Sequence, residues 1–165
     1  MTSSILPIAA QPAAAELLGR ILDASGPLLA LHHADGEDLL DQLRVMARHS
    51  GQAIYLWRAG HGLTSLRDMH AAMPNSLRLG AALRHIQQSQ HFGVYLLQGV
   101  DLPLAASELL ALRQAGVAVA PRLRRIVLLN PPTQVIDELG DSVMRLWVDE
   151  PDVPRPRLRD GRWLL

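Results

Sequence analysis

The sequence has no cysteine and no lysine, and it has few aromatic residues. Without cysteine there can be no disulfide, no thiol nucleophile and no cysteine-based zinc site. Without lysine there can be no Schiff-base chemistry, and the phosphate-binding lysine of a Walker A loop is missing. All 16 basic residues are therefore arginines, balanced by 16 acids to a formal net charge of zero. A neutral chain exerts no global pull on nucleic acid, so nucleic acid is not expected as a partner, whereas self-association or a protein partner is favoured. Aromatic residues make up only 4%, which leaves Leu, Ala, Val and Ile to fill the core. No apolar run approaches the roughly 20 residues that span a bilayer. The first residues lack the basic start of a secretory signal, so a cytoplasmic protein without membrane attachment is expected.

What is present reads as a globular α/β chain. At 165 residues, 48% of them apolar and 19% charged, it is long enough for one domain with a real core. Residues 1–11 read as a flexible arm, residues 12–150 as a single domain, and residues 151–165 as a Pro/Arg-rich tail. A helix is predicted from Ala13 to Ala24, with Leu17, Leu18, Ile21 and Leu22 on one face, ended by Ser25-Gly26-Pro27. Leu28 to His32 is a continuous apolar run that fits a buried strand. Asp35, Glu37 and Asp38 suit the first turn of a second helix, which runs to about His49 before Gly51.

The alternation then repeats. Further strands are predicted at 53–57, 94–97, 125–129 and 143–148. Helices are predicted at 77–89, with Ser76 as cap, at 104–115, and at 134–139, with Thr133 as cap. Residues after Gly60-His61-Gly62, up to Asn75, read as irregular or weakly helical. Five strands alternating with helices imply a three-layer sandwich around a mostly parallel five-stranded sheet. In the tail, Arg159-Asp160-Gly161-Arg162 suits a tight hairpin turn before Trp163, and that tail could dock on a partner or add a strand to a sheet edge.

Five segments carry a family resemblance: Pro27-Leu28-Leu29-Ala30-Leu31-His32; Ile54-Tyr55-Leu56-Trp57 with Gly62-Leu63; Ala81 to Ile86; Val94-Tyr95-Leu96-Leu97; and Ile126 to Pro131. Over about residues 15–150 they resemble the N-terminal region of the AAA-type ATPases of cyanobacteria and plastids, which have bacterial relatives. In that family a P-loop-NTPase-like domain without Walker motifs precedes the active AAA module. The resemblance implies a degenerate P-loop-NTPase-like fold standing alone, with no catalytic residues and no cofactor. It also implies a protein partner, either an AAA-type ATPase or another copy of the chain.

The positions that would serve nucleotide in an active relative read as follows. His32-His33-Ala34-Asp35-Gly36-Glu37 follows the first strand, and with one glycine, no lysine and three carboxylates by Asp38 it would repel phosphate. Gln98-Gly99 ends the third strand in place of a magnesium-holding acid, with Asp101 displaced. Asn130 ends the fourth strand, where active relatives carry a polar sensor, although Asn before Pro is also an ordinary strand-to-loop residue.

Candidates for a ligand crevice at the strand ends are thus His32, His33, Gln98 and Asn130. His32, His33 and Asp35 contain donors suited to a divalent metal, yet adjacent strand residues face opposite ways, and no metal site is expected. His49, His61 and His70 form no recognisable catalytic arrangement. Arg122, Arg124 and Arg125, and the tail arginines Arg155, Arg157, Arg159 and Arg162, could contact phosphates, but solvated surface is the preferred reading. These readings lead to a non-catalytic interaction or regulatory module. A small-ligand or nucleotide-binding regulator is the alternative, and a metal-dependent enzyme built on His32, His33 and Asp35 is a remote third.

Overall fold

The structure, a computed structural model, describes residues 10–33, 36–68, 71–117 and 124–147, with side chains from residue 14 onward. The expectations for the N-terminal arm up to residue 9, Asp35, His70, Arg122 and the tail lie outside the described residues. Helices α1 (Ala10–Asp23), α2 (Gly36–Ser50), α3 (Leu79–Gln88), α4 (Ala106–Gly116) and α5 (Thr133–Leu139) alternate with the strands. The strands are β1 (Leu28–His32), β2 (Ile54–Arg58), β3 (Gly62–Ser65), β4 (Gly93–Gln98), β5 (Arg124–Leu129) and β6 (Met144–Trp147). They form one six-stranded sheet in the order β3-β2-β4-β5-β1-β6. All pairings are parallel except β2 with β3.

Strand alternation divides the core into two layers. Leu28 and Ala30 of β1, with Leu97, Ile126 and Leu128, pack under α3, α4 and α5. Leu29 and Leu31, with Leu56, Leu96 and Val127, pack under α1 and α2. The inner strands β1, β4 and β5 are therefore buried on both faces, which requires uninterrupted apolar runs. Edge strand β6 alternates between half-buried and exposed residues. Glu37 and Asp38 begin α2 and Arg48 and His49 end it, a distribution that complements the helix dipole.

Connectivity fixes where a site can lie. From β2 the chain moves across the sheet to β4, β5 and β6, using α3, α4 and α5 on one face. From β1 to β2 it moves the opposite way, through α2 on the other face. Opposite faces for opposite directions is what right-handed crossovers demand. The connections leaving β1 and β5 thus diverge, and a switch point opens between their carboxyl ends.

Several local expectations are corrected. A sixth strand, β3, occupies part of the stretch read as irregular: Gly60 and Gly62 adopt φ of 81° and 88°, which lets the chain reverse after Arg58 into a hairpin. Ser76 does not cap α3. That helix begins at Leu79 without a side-chain cap, because the buried Ser76 hydroxyl is already engaged, accepting from the Leu63 amide at 2.9 Å and donating to the Met73 carbonyl at 2.6 Å. Together with the bond from the Met73 amide to the Leu63 carbonyl, this covers the outer edge of β3. Thr133 likewise makes no cap bond, since α5 starts directly after Pro132. Helix α1 begins at Ala10 and includes Pro12 in its first turn, where a missing amide costs nothing.

Candidate functional site at the strand ends

At the switch point, Asn130 joins β5 to the loop leaving β1. Its amide donates to the Leu31 carbonyl at 2.8 Å, and its Oδ1 accepts from the His33 amide, also at 2.8 Å. The residue has a φ of 45°, a left-handed conformation that Asn tolerates better than most side chains. Both its backbone and its side chain are therefore spent on holding the start of the β1–α2 loop.

A second polar group lies at the ends of β2 and β4. Arg58, the last residue of β2, donates from Nε to Oε1 of Gln98 at 2.8 Å. Its Nη2 lies 3.3 Å from both carboxylate oxygens of Glu37 in the first turn of α2. Gln98 Nε2 also points at Glu37, 3.4 Å from Oε1. The register pairs Arg58 directly with Gln98, so two adjacent parallel strands present their polar ends to one carboxylate.

His32 goes elsewhere. It pairs in register with Trp147 of β6, and the two rings stack with centroids 4.3 Å apart and an interplanar angle of 22°. The Trp147 carbonyl accepts from Arg20 of α1 at 3.0 Å. Nε2 of His32 is buried and has no hydrogen-bond partner among the described residues. Burial, and then the charge of Arg145, hold this imidazole below its ordinary pKa.

The four sequence-derived candidates thus divide three ways: His33 with Asn130, Gln98 with Arg58 and Glu37, and His32 with Trp147. Arg58 and Trp147 were not singled out in the sequence. The signal for Arg58 was a charged residue closing an otherwise apolar strand at its carboxyl end. No group of three or more metal-ligating side chains occurs among the described residues. His61 lies in the β2–β3 turn, its Nδ1 3.3 Å from the Ala59 carbonyl. Asp101 accepts from the next amide, that of Leu102. Arg124 bonds the Ile86 carbonyl at 2.6 Å, so it serves the fold. Arg125 is buried and reaches the carbonyls of Ile21, Leu22 and Ala24 at the end of α1. Apart from these groups, a trough of about 500 Å³ lies between α1 and α2, lined by Ala14, Gln42, Val45, Met46 and His49 among others.

Strand order and diverging connections are those of a P-loop-NTPase-like sandwich. Among known families, the SpoVK-like AAA ATPase N-terminal domain matches over residues 14–148. The chain belongs to this family. No curated protein and no solved structure matches it. As a SpoVK-like N-terminal domain, it carries polar strand ends bonded to one another where the fold places its ligand crevice. No helix among its described residues is long and apolar enough to cross a membrane.

Proposed function

We propose that this domain is a non-catalytic interaction or regulatory module that does not hydrolyse nucleotide and acts by binding a protein, either an AAA-type ATPase or a second copy of the chain. One observation carries this reading: groups of the chain itself bond one another at the strand ends, His33 to Asn130 and Glu37 to Arg58 and Gln98. A phosphate arriving there would meet the Glu37 carboxylate, with Asp38 beside it in the same helical turn. A ligand-binding regulator is the second reading, favoured by the buried Nε2 of His32, which has no hydrogen-bond partner among the described residues and is the kind of group a ligand satisfies.

A thermal-shift titration with ATP, ADP and GTP, with and without Mg²⁺, tests between them. A ligand at 100-fold over its dissociation constant stabilises by about 2.7 kcal/mol. The interaction module predicts no shift at millimolar nucleotide. A saturable rise in melting temperature would overturn it in favour of the regulator.

A further inference from the structure

We propose that Arg58 and Gln98 form a receptor for a carboxylate, filled in the free domain by Glu37 and offered to an acidic side chain of the protein partner. This rests on the interaction-module reading and gives that interaction its chemistry.

Preorganisation is the first support. The guanidinium of Arg58 is fixed through Nε to Gln98 at 2.8 Å, which leaves Nη2 and the Gln98 amide nitrogen converging on one point. Two donors held on neighbouring parallel strands lose little freedom when a carboxylate arrives. Arg presents its N–H groups in a planar fork matched to carboxylate geometry.

The second support is the loose hold on the present occupant. Glu37 sits 3.3 to 3.4 Å from these donors, at the long end for a charge-assisted bond. Its side chain is 66% exposed, against 31% for Arg58. An ion pair so open to water contributes little, and Glu37 can leave for solvent at small cost. The donors are the better-buried half of the pair, and the acid is the replaceable half.

Charge selects the ligand class. Once displaced, Glu37 remains nearby, and Asp38 follows it in the same helical turn. Their repulsion grows with each ligand charge, so a single carboxylate is accepted where the multiply charged phosphates of a nucleotide are refused. The same arrangement makes this end of the sheet a docking point for an acidic residue.

The test uses ¹⁵N-labelled full-length protein titrated with N-acetylglutamate amide, a Glu side chain freed of backbone charges, at constant ionic strength against chloride. Resonances of Arg58 Nε and of the Gln98 side-chain amide are followed in the wild type and in Glu37→Ala, Glu37→Gln and Arg58→Met. We expect saturable shifts confined to these two groups and their neighbours. Binding should be roughly two- to fivefold tighter in Glu37→Ala than in the wild type, as loss of a weak internal competitor dictates. Glu37→Gln, which keeps the side-chain length without the charge, should bind tighter than the wild type, and Arg58→Met should give no response. A flat titration of both Glu37 variants would overturn the receptor. So would inorganic phosphate binding more tightly than the carboxylate. A flat anion titration together with an absent nucleotide shift sinks the receptor alone, whereas a nucleotide-induced shift sinks the interaction module itself.

Discussion

The amide of His33, just beyond β1, donates a 2.8 Å hydrogen bond to Oδ1 of Asn130, just beyond β5. This one bond ties together the two strand ends from which the chain departs toward opposite faces. Replacing Asn130 separates its two contributions. Asn130→Gly removes the acceptor but suits the left-handed backbone, and should cost about 1 kcal/mol. Asn130→Ala removes the acceptor and also strains the backbone, and should cost about 1 kcal/mol more. Urea denaturation of both variants checks the order. Equal losses would mean that φ at this position contributes nothing.

Arg125 is the buried charge on which α1 depends. Its guanidinium meets three carbonyls at the end of that helix, at 3.2 to 3.3 Å, and burial lowers its pKa. Arg125→Met leaves those carbonyls without this partner and should destabilise by about 2 to 3 kcal/mol. Arg125→Lys, a single point donor, should fall between the two. The urea midpoint is again the measurement.

His32 makes stability depend on pH with a defined sign. Burial first, and Arg145 second, lower its folded pKa below the ordinary 6.5. The unfolded chain therefore takes up this proton at a higher pH than the folded one. The resulting stability is complete above pH 6.5, begins to decline there, and is lost as the pH falls through the lower folded value. Comparing urea midpoints at pH 7.5 and 5.0, the wild type should lose more than His32→Phe, which keeps a ring against Trp147 but cannot titrate.

Ser76 holds the edge of the sheet. Its hydroxyl satisfies the Leu63 amide, and its carbonyl accepts from the Trp57 indole at 2.9 Å. Ser76→Ala leaves the buried Leu63 amide unpaired and should cost about 1 to 3 kcal/mol. Hydrogen exchange should then accelerate at Leu63 and Met73 before it does in β4 or β5.

The sheet was legible in the sequence where burial is two-sided. Leu28 to Leu31, Val94 to Leu97 and Ile126 to Leu129 are apolar without interruption because helices cover both of their faces. Strand β3 was not legible: Gly62 and Ser65 carry little strand preference, and their pairing with β2 depends on a turn and on Ser76 thirteen or so positions downstream. The caps failed for a related reason. Ser76 and Thr133 have the right chemistry, but tertiary partners and a preceding proline, respectively, decide where each helix starts. At the strand ends, the position of Asn130 could be read, whereas its bond to a backbone amide 97 residues away could not. Glu37 could be read as one of the acids after β1 and Arg58 only as a charge closing β2, since their meeting requires the β1–α2–β2 crossover.

Strand β1 is synthesised before both of its neighbours, β5 and β6, with β2, β3 and β4 coming between. A nascent chain released as far as β4 carries β1 with two open sides, and α1 lacks the arginine that closes its last turn. Such long-range pairing slows folding and prolongs exposure of sticky strands. A ribosome-bound fragment ending before Arg124 should therefore remain protease-sensitive throughout, and protection should arrive in a single step once residues 124–147 have emerged.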